Sequence, residues 1–161
     1  MIPLASIISV LAAVWARAAA AEFAPAVPLV GLAWVVVLAR RSPTGAFVAA
    51  AIAFGLVDGV VSLTAWTYWP PVYLMLGLLA FWTRRLIPVS RAGGEAVISA
   101  FFAAAAHLIF WTLRGSSDLG RGWPFAWAPI ATGIATTGIV AGMLIAFVPR
   151  WPAAWLRRTR A

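Results

Sequence analysis

WPFAWAPIATGIATTGIVAGMLIAFV, residues 123–148, runs for 26 residues without a charge. Coiled as an α-helix at 1.5 Å per residue, it is about 39 Å long, more than the roughly 30 Å of a bilayer's hydrocarbon. The stretch therefore predicts a membrane-spanning helix with length to spare for tilt. Apolar runs of the same kind lie at 2–21, 25–39, 43–63, 70–83 and 96–113, separated by short polar or arginine-bearing breaks. The fold expected is an all-α integral membrane protein, a bundle of six transmembrane helices over residues 1–149. Residues 150–161 follow as a tail, with Trp151, Trp155 and Leu156 beside Arg157, Arg158 and Arg160. That mixture predicts an interfacial segment, tryptophans at headgroup depth and arginines toward the surface.

Composition supports the same solvent. The chain has 161 residues, 64% hydrophobic and only 10% charged, against about 45–50% and 25% in soluble domains. Exposed to water, it would present large apolar patches. The first run also has signal-peptide traits, with Ala18, Ala19 and Ala20 near its end. Arg17 inside the cleavage region and the lack of a basic leader favour a retained helix. Prolines at 25, 28, 43, 70 and 71 open later runs, where a missing N–H costs a first turn nothing.

The net charge of +8 comes from twelve arginines, no lysine and four acids. Nucleic-acid binders gather cations on one solvated face, whereas these arginines stand between apolar runs, so no nucleic acid is expected as a partner. They report orientation instead. With six spans and the N-terminus inside, Arg40, Arg41, Arg84, Arg85, Arg91, Arg150, Arg157, Arg158 and Arg160 fall inside, against Arg17, Arg114 and Arg121 outside. The positive-inside rule then predicts a multi-pass protein of the bacterial cytoplasmic membrane with both termini cytoplasmic.

In lipid, helices associate through small residues that let backbones approach. Such stripes run along Ala131, Ala135, Gly138, Gly142 and Ala146, along Ala96, Ala100, Ala103 and His107, and along Gly45, Ala49 and Ala53. Gly138 and Gly142 form a G-x-x-x-G pair, and packing within one bundle is its expected use.

Few residues offer chemistry. A carboxylate is costly in hydrocarbon, and Asp58 lies 17 residues past Arg41, roughly 25 Å along a helix and near the outer edge. Gly55 and Gly59 flank it. Two readings stand: an acid closing a helix end or pairing with Arg17 or Arg114, and a polar anchor for a ligand or partner. His107, 13 residues beyond Gly94, shares its helix's small-residue face and reads as a packing residue or as Asp58's partner. Trp66, Tyr68, Trp69 and Trp111 map to the same outer side, which predicts a concave outer-face site. There is no G-x-S-x-G elbow and no phosphate-cradling glycine loop. No cysteine is present, and one histidine with four scattered acids makes no usual metal site. The expectation is a protein that is not an enzyme and holds no metal or cofactor.

The order of these features resembles the MreD family, integral membrane proteins of the bacterial rod-shape machinery. The likeness rests on six spans in about 160 residues, the prolyl entry to the second run and the basic turn Arg40-Arg41-Ser42-Pro43-Thr44-Gly45. It continues through Phe47, the run Phe54-Gly55-Leu56-Val57-Asp58, the arginine-terminated fourth run, Phe110-Trp111 and the basic tail. The family commonly carries glycines shortly after the acid, where this chain has Ser62 and Trp66. The resemblance implies a non-enzymatic membrane scaffold of the cell-elongation complex, supporting sidewall peptidoglycan synthesis and rod shape. Its implied partners are MreC directly, then MreB, RodA and a class B penicillin-binding transpeptidase. The bundle is also similar to the substrate-binding S-components of energy-coupling-factor transporters, which supplies the alternative of a vitamin-capturing subunit with an outward-facing pocket.

Overall fold

The computed structural model describes Leu11, Trp15 and residues 29–41, 44–61, 68–88, 91–118 and 127–147. Helix is the regular structure of the described residues, and no strand occurs among them. Five helices follow in order: α1 Val30–Arg41, α2 Thr44–Val61, α3 Trp69–Leu86, α4 Ala92–Asp118 and α5 Trp127–Phe147. They overlap the apolar runs at 25–39, 43–63, 70–83, 96–113 and 123–148. The run at 2–21 and the tail at 150–161 lie outside the described residues, apart from Leu11 and Trp15, which are helical and exposed.

Two boundaries differ from the sequence reading. Gly93, Gly94 and Glu95, read as a polar break, form the first turn of α4. An acid there is favoured by the partial positive charge of a helix start, and Glu95 gains buried partners described below. At its other end α4 continues to Asp118 through residues read as a loop. One glycine costs a helix only about 1 kcal/mol, and serines less, so an established helix propagates across them.

α1 is the central element. Ten of its twelve residues are buried, and it packs against all four other helices. Its valine-rich sequence is a mediocre helix former; burial on every side, rather than propensity, holds it helical. α2 and α3 form one closely packed pair and α4 and α5 another, with α1 between them and only a thin seam joining α3 to α4. The main core draws Leu32, Val35 and Val36 from α1, Phe47 from α2, Tyr73 and Leu76 from α3, and Phe102 and Ala106 from α4. Phe47 stacks on Phe81 with ring centroids 5.8 Å apart.

Local chemistry ends the helices cleanly. Pro70 and Pro71 occupy the first turn of α3, and the Ile87 N–H donates back to the Thr83 carbonyl to close it. At the start of α1 the Leu29 N–H donates to Thr137 Oγ1 of α5 at 2.9 Å, while Thr137 donates to the Gly133 carbonyl. One buried hydroxyl thus ties two helices.

Glycines set the close approaches. A Cβ at Gly55 would lie 2.6 Å from Pro70 Cα, so α2 and the start of α3 touch backbone to backbone. A Cβ at Gly138 would lie 2.7 Å from the Ala96 carbonyl oxygen, and one at Gly142 would lie 3.3 Å from Ala96 Cβ, which seats α5 on α4. Ala131 and Ala135, expected in the same stripe, are exposed, as are Ala146, Ala49 and Ala53. The stripe describes contact with a single neighbour. α5 packs on both α1 and α4, which turns its buried arc toward Gly133, Thr137 and Ala141.

The distribution of polarity is the reverse of a water-soluble bundle's. Arg40, Asp58, Glu95, Ser99 and Thr137 are buried. Outside stand Ile52, Leu56 and Val60 on α2, Met75, Leu79 and Trp82 on α3, Val97, Phe101 and Leu108 on α4, and Ile139 and Met143 on α5. Thr112 and Thr132, also exposed, turn their hydroxyls back to carbonyls of their own helices. One helical stretch among the described residues, Ala92–Phe110, is long and apolar enough to cross a membrane; Ala46–Val60 and Ile130–Ala146 are shorter apolar helical stretches.

The glycine contacts make a paired prediction for thermal unfolding followed by circular dichroism. Gly55→Ala forces backbone apart and should cost about 1–3 kcal/mol. Gly93→Ala, where an added Cβ meets nothing within 4 Å, should be neutral or stabilising by up to about 1 kcal/mol. Equal destabilisation by the two would contradict the packing described.

Candidate functional site

Two buried clusters of bonded polar side chains stand out among the described residues. The first joins the end of α1 to the start of α4. Arg40 Nε donates to Glu95 Oε2 at 2.8 Å, its Nη2 donates to the Ile87 carbonyl at 2.9 Å, and Nη1 reaches Thr83 Oγ1 at 3.4 Å. Arg41 Nε stands 3.6 Å from Glu95 Oε1. The Arg40 and Glu95 side chains are each only 2% exposed. One guanidinium therefore ties α1, the end of α3 and the start of α4. The helix ends reinforce it, since cations favour the C-terminus of α1 and an anion the N-terminus of α4.

The second cluster joins α1, α2 and α3. The Tyr73 hydroxyl donates to Asp58 Oδ2 at 2.5 Å. Gly31 of α1 lies against the pair: a Cβ there would sit 3.0 Å from Asp58 Oδ2 and 3.3 Å from Tyr73 Cε2. Asp58 is 5% exposed and Tyr73 fully buried. Above Tyr73, Trp69 packs on it edge-on and lies 4.0 Å, centroid to centroid, from Phe110 of α4. This aromatic contact crosses the thin seam between α3 and α4.

The residues expected on a concave outer face are distributed differently. Asp58, Gly55, Gly59 and Trp69 are buried in helix contacts, Tyr68 is exposed and His107 is half-buried. The helices carrying Asp58 and His107 do not pack on one another; both pack on α1 and α3 instead. Trp66 and Arg17 lie outside the described residues, and Trp111 and Arg114 are helical positions whose side chains lie outside them.

Sequence reasoning missed Tyr73, Arg40 and Glu95. Tyr73 is the one hydroxyl-bearing aromatic within the 70–83 run, a signal that was available. Arg40 stood in a basic pair whose orientation role explained it without a partner. Glu95 was open to the same elimination, being the only acid between Asp58 and Asp118. Chemically, both clusters hold helices in place. Among the described residues no group of three or more His, Cys, Asp or Glu could hold a metal. Ser99, one turn along α4 from Glu95, is fully buried, and its hydroxyl has no partner among the described residues.

Removing one member of a buried ion pair leaves the other charge stranded, at a cost of about 3–5 kcal/mol. Glu95→Ala should destabilise on that scale in chemical unfolding, and Arg40→Ala somewhat less, because Arg41 stands 3.6 Å from Glu95 Oε1. The double variant Arg40→Met/Glu95→Leu should recover most of the loss. Additive losses in the double variant would show that the two side chains act independently.

No family model, no curated protein and no solved structure matches this chain.

Proposed function

We propose that the chain is a multi-pass membrane scaffold of the MreD type, a six-span bundle that binds MreC and supports sidewall peptidoglycan synthesis in the elongation complex. The observation that carries the membrane half is the inverted polarity along the helices: Arg40, Asp58, Glu95, Ser99 and Thr137 are buried, large apolar side chains stand outside on four helices, and the exposed Arg41, Arg85 and Arg91 lie at helix ends. Water would penalise that exterior, whereas hydrocarbon solvates it. The self-satisfied hydroxyls of Thr112 and Thr132 suit the same surroundings.

The scaffold half rests on the resemblance, which runs over most of the chain, and on what the buried polar groups are occupied with. Arg40, Glu95, Asp58 and Tyr73 bond to one another across helices, as parts of a rigid bundle that presents surfaces. On this reading the cluster of Asp58, Tyr73 and Gly31 fixes the ends of α2 and α3. The exposed Tyr68 then stands on that platform as an aromatic contact for MreC's juxtamembrane segment. Arg40, Arg41, Arg84, Arg85 and Arg91 mark the cytoplasmic end.

Co-expressed with MreC, the chain should co-purify with it from detergent-solubilised membranes. Tyr68→Glu should lower recovery at least about tenfold, the effect of losing one aromatic hot spot, while leaving the helical circular dichroism unchanged. Depletion should round rod-shaped cells. Failure to recover MreC, together with a vitamin requirement on depletion, would replace this reading with the transporter subunit.

A further inference from the structure

The arginine end of the bundle has more positive charge than its acids neutralise. Arg41 stands 3.6 Å from Oε1 of Glu95, the carboxylate oxygen that Arg40 does not take, and its side chain is still 39% exposed. The Arg91 carbonyl accepts the Glu95 N–H at 3.3 Å, which places Arg91 at the first turn of the same helix. Ile87, whose carbonyl receives Arg40, brings the end of α3 to the same junction, with Arg85 two residues before it. Arg40 and Arg41 thus meet Glu95 directly, Arg91 stands one turn before it at the start of α4, Arg85 belongs to the last turn of α3, and no other acid occurs between residues 59 and 117. Arg40 consumes one carboxylate oxygen from a buried position. Arg41, Arg85 and Arg91 are exposed at the rim.

Immediately beside this rim the surface is apolar. Trp82 is 69% exposed and Leu86 80%, one helical turn apart on α3, with Arg85 three residues after Trp82. Cationic donors with an apolar strip running away from them match an amphiphile: an anionic headgroup on the arginines and an acyl chain along Trp82 and Leu86. Guanidinium forks suit phosphate oxygens in particular. Basic pockets between helix ends at a membrane surface are a recurrent setting for such lipids.

We infer that the junction of α1, α3 and α4 is a selective binding site for an anionic phospholipid, held by Arg41, Arg85 and Arg91 with its acyl chain on Trp82 and Leu86. The site rests on the membrane reading above. Arg40 and Glu95 act as its foundation, since their buried bond sets the distance between the helix ends that carry the three exposed arginines. Lipid bound there would bridge α3 and α4 at the end opposite the Trp69–Phe110 contact, across the thinnest seam of the bundle.

The test uses the full chain purified in neutral detergent, with native mass spectrometry reading the lipids retained. Phosphatidylglycerol and phosphatidylcholine with identical acyl chains are offered in equal amounts, and inorganic phosphate separately. Phosphatidylglycerol should be retained at least about tenfold better than phosphatidylcholine. Each arginine near a membrane surface contributes roughly a fivefold change in anionic-lipid affinity. Arg85→Gln should therefore weaken phosphatidylglycerol about fivefold and Arg41→Gln/Arg91→Gln about 25-fold, with phosphatidylcholine unaffected. Arg85 shares no ion pair with Glu95 among the described residues, so its variant keeps the test meaningful should the double variant unfold. Equal retention of the two lipids would overturn the inference. So would stabilisation by inorganic phosphate alone, or displacement of the lipid by a polyglutamate peptide, which would identify an acidic protein as the occupant. Flotation with phosphatidylcholine vesicles separates the two levels. A chain that fails to incorporate overturns the membrane reading, and one that incorporates without headgroup selectivity overturns the lipid site alone.

Discussion

Glu95 meets Arg40 at the point where three helices end, and the arrangement of the bundle depends on that meeting. Its setting decides its weight. On a wet surface such a pair contributes little, because water screens both partners and competes for them. With both side chains 2% exposed, water cannot replace either partner, and among the described residues only the more distant Arg41 stands by Glu95 as a second cation. The pair need not add net stability over an apolar replacement to matter. It selects one relative placement of α1, α3 and α4, since among the described residues this junction alone supplies Arg40 with a carboxylate and the Ile87 carbonyl together.

The rest of the packing follows from a shortage of other drives. If hydrocarbon surrounds the helices, apolar side chains gain little by meeting one another, and cohesion falls to close backbone approach and buried polar bonds. Both occur where they are needed. Gly55 brings α2 onto α3, Gly138 and Gly142 bring α5 onto α4, and Gly31 admits Asp58 and Tyr73 between α1 and its neighbours. Thr137 ties α5 to the start of α1. Each of the two helix pairs is thereby attached to α1 by at least one polar contact as well as by packing.

Much of the helical architecture was legible in the sequence, because a charge-free run such as 123–148 admits few alternatives. The interior was less legible. The stripe of Ala131, Ala135, Gly138 and Gly142 has regular spacing, yet only the two glycines face α4, because spacing along one helix carries no information about how many neighbours it has. Asp58 stood out by cost, but its partner Tyr73 lies 15 residues on in the next helix, and pairing across helices depends on rotations that no local pattern encodes. Arg40 was hidden by a sufficient explanation. Arginines that mark orientation and an arginine that anchors a core look identical in sequence until the acid opposite is found. The polar break at Gly93 and Gly94 was misread for a related reason: glycine at a helix start is tolerated when the following acid gains a buried partner.

The central proposal is that the apolar exterior of this bundle faces hydrocarbon while Arg40, Asp58 and Glu95 are bonded within. The chain contains no cysteine, so single cysteines can be placed at Ile52, Leu79, Phe101 and Ile139 and spin-labelled in lipid vesicles. Paramagnetic relaxation by oxygen, which concentrates in hydrocarbon, is then compared with relaxation by a water-soluble nickel chelate. The account predicts that all four sites are relaxed strongly by oxygen and weakly by the chelate. Strong relaxation by the chelate at these positions would place the exterior in water and contradict it.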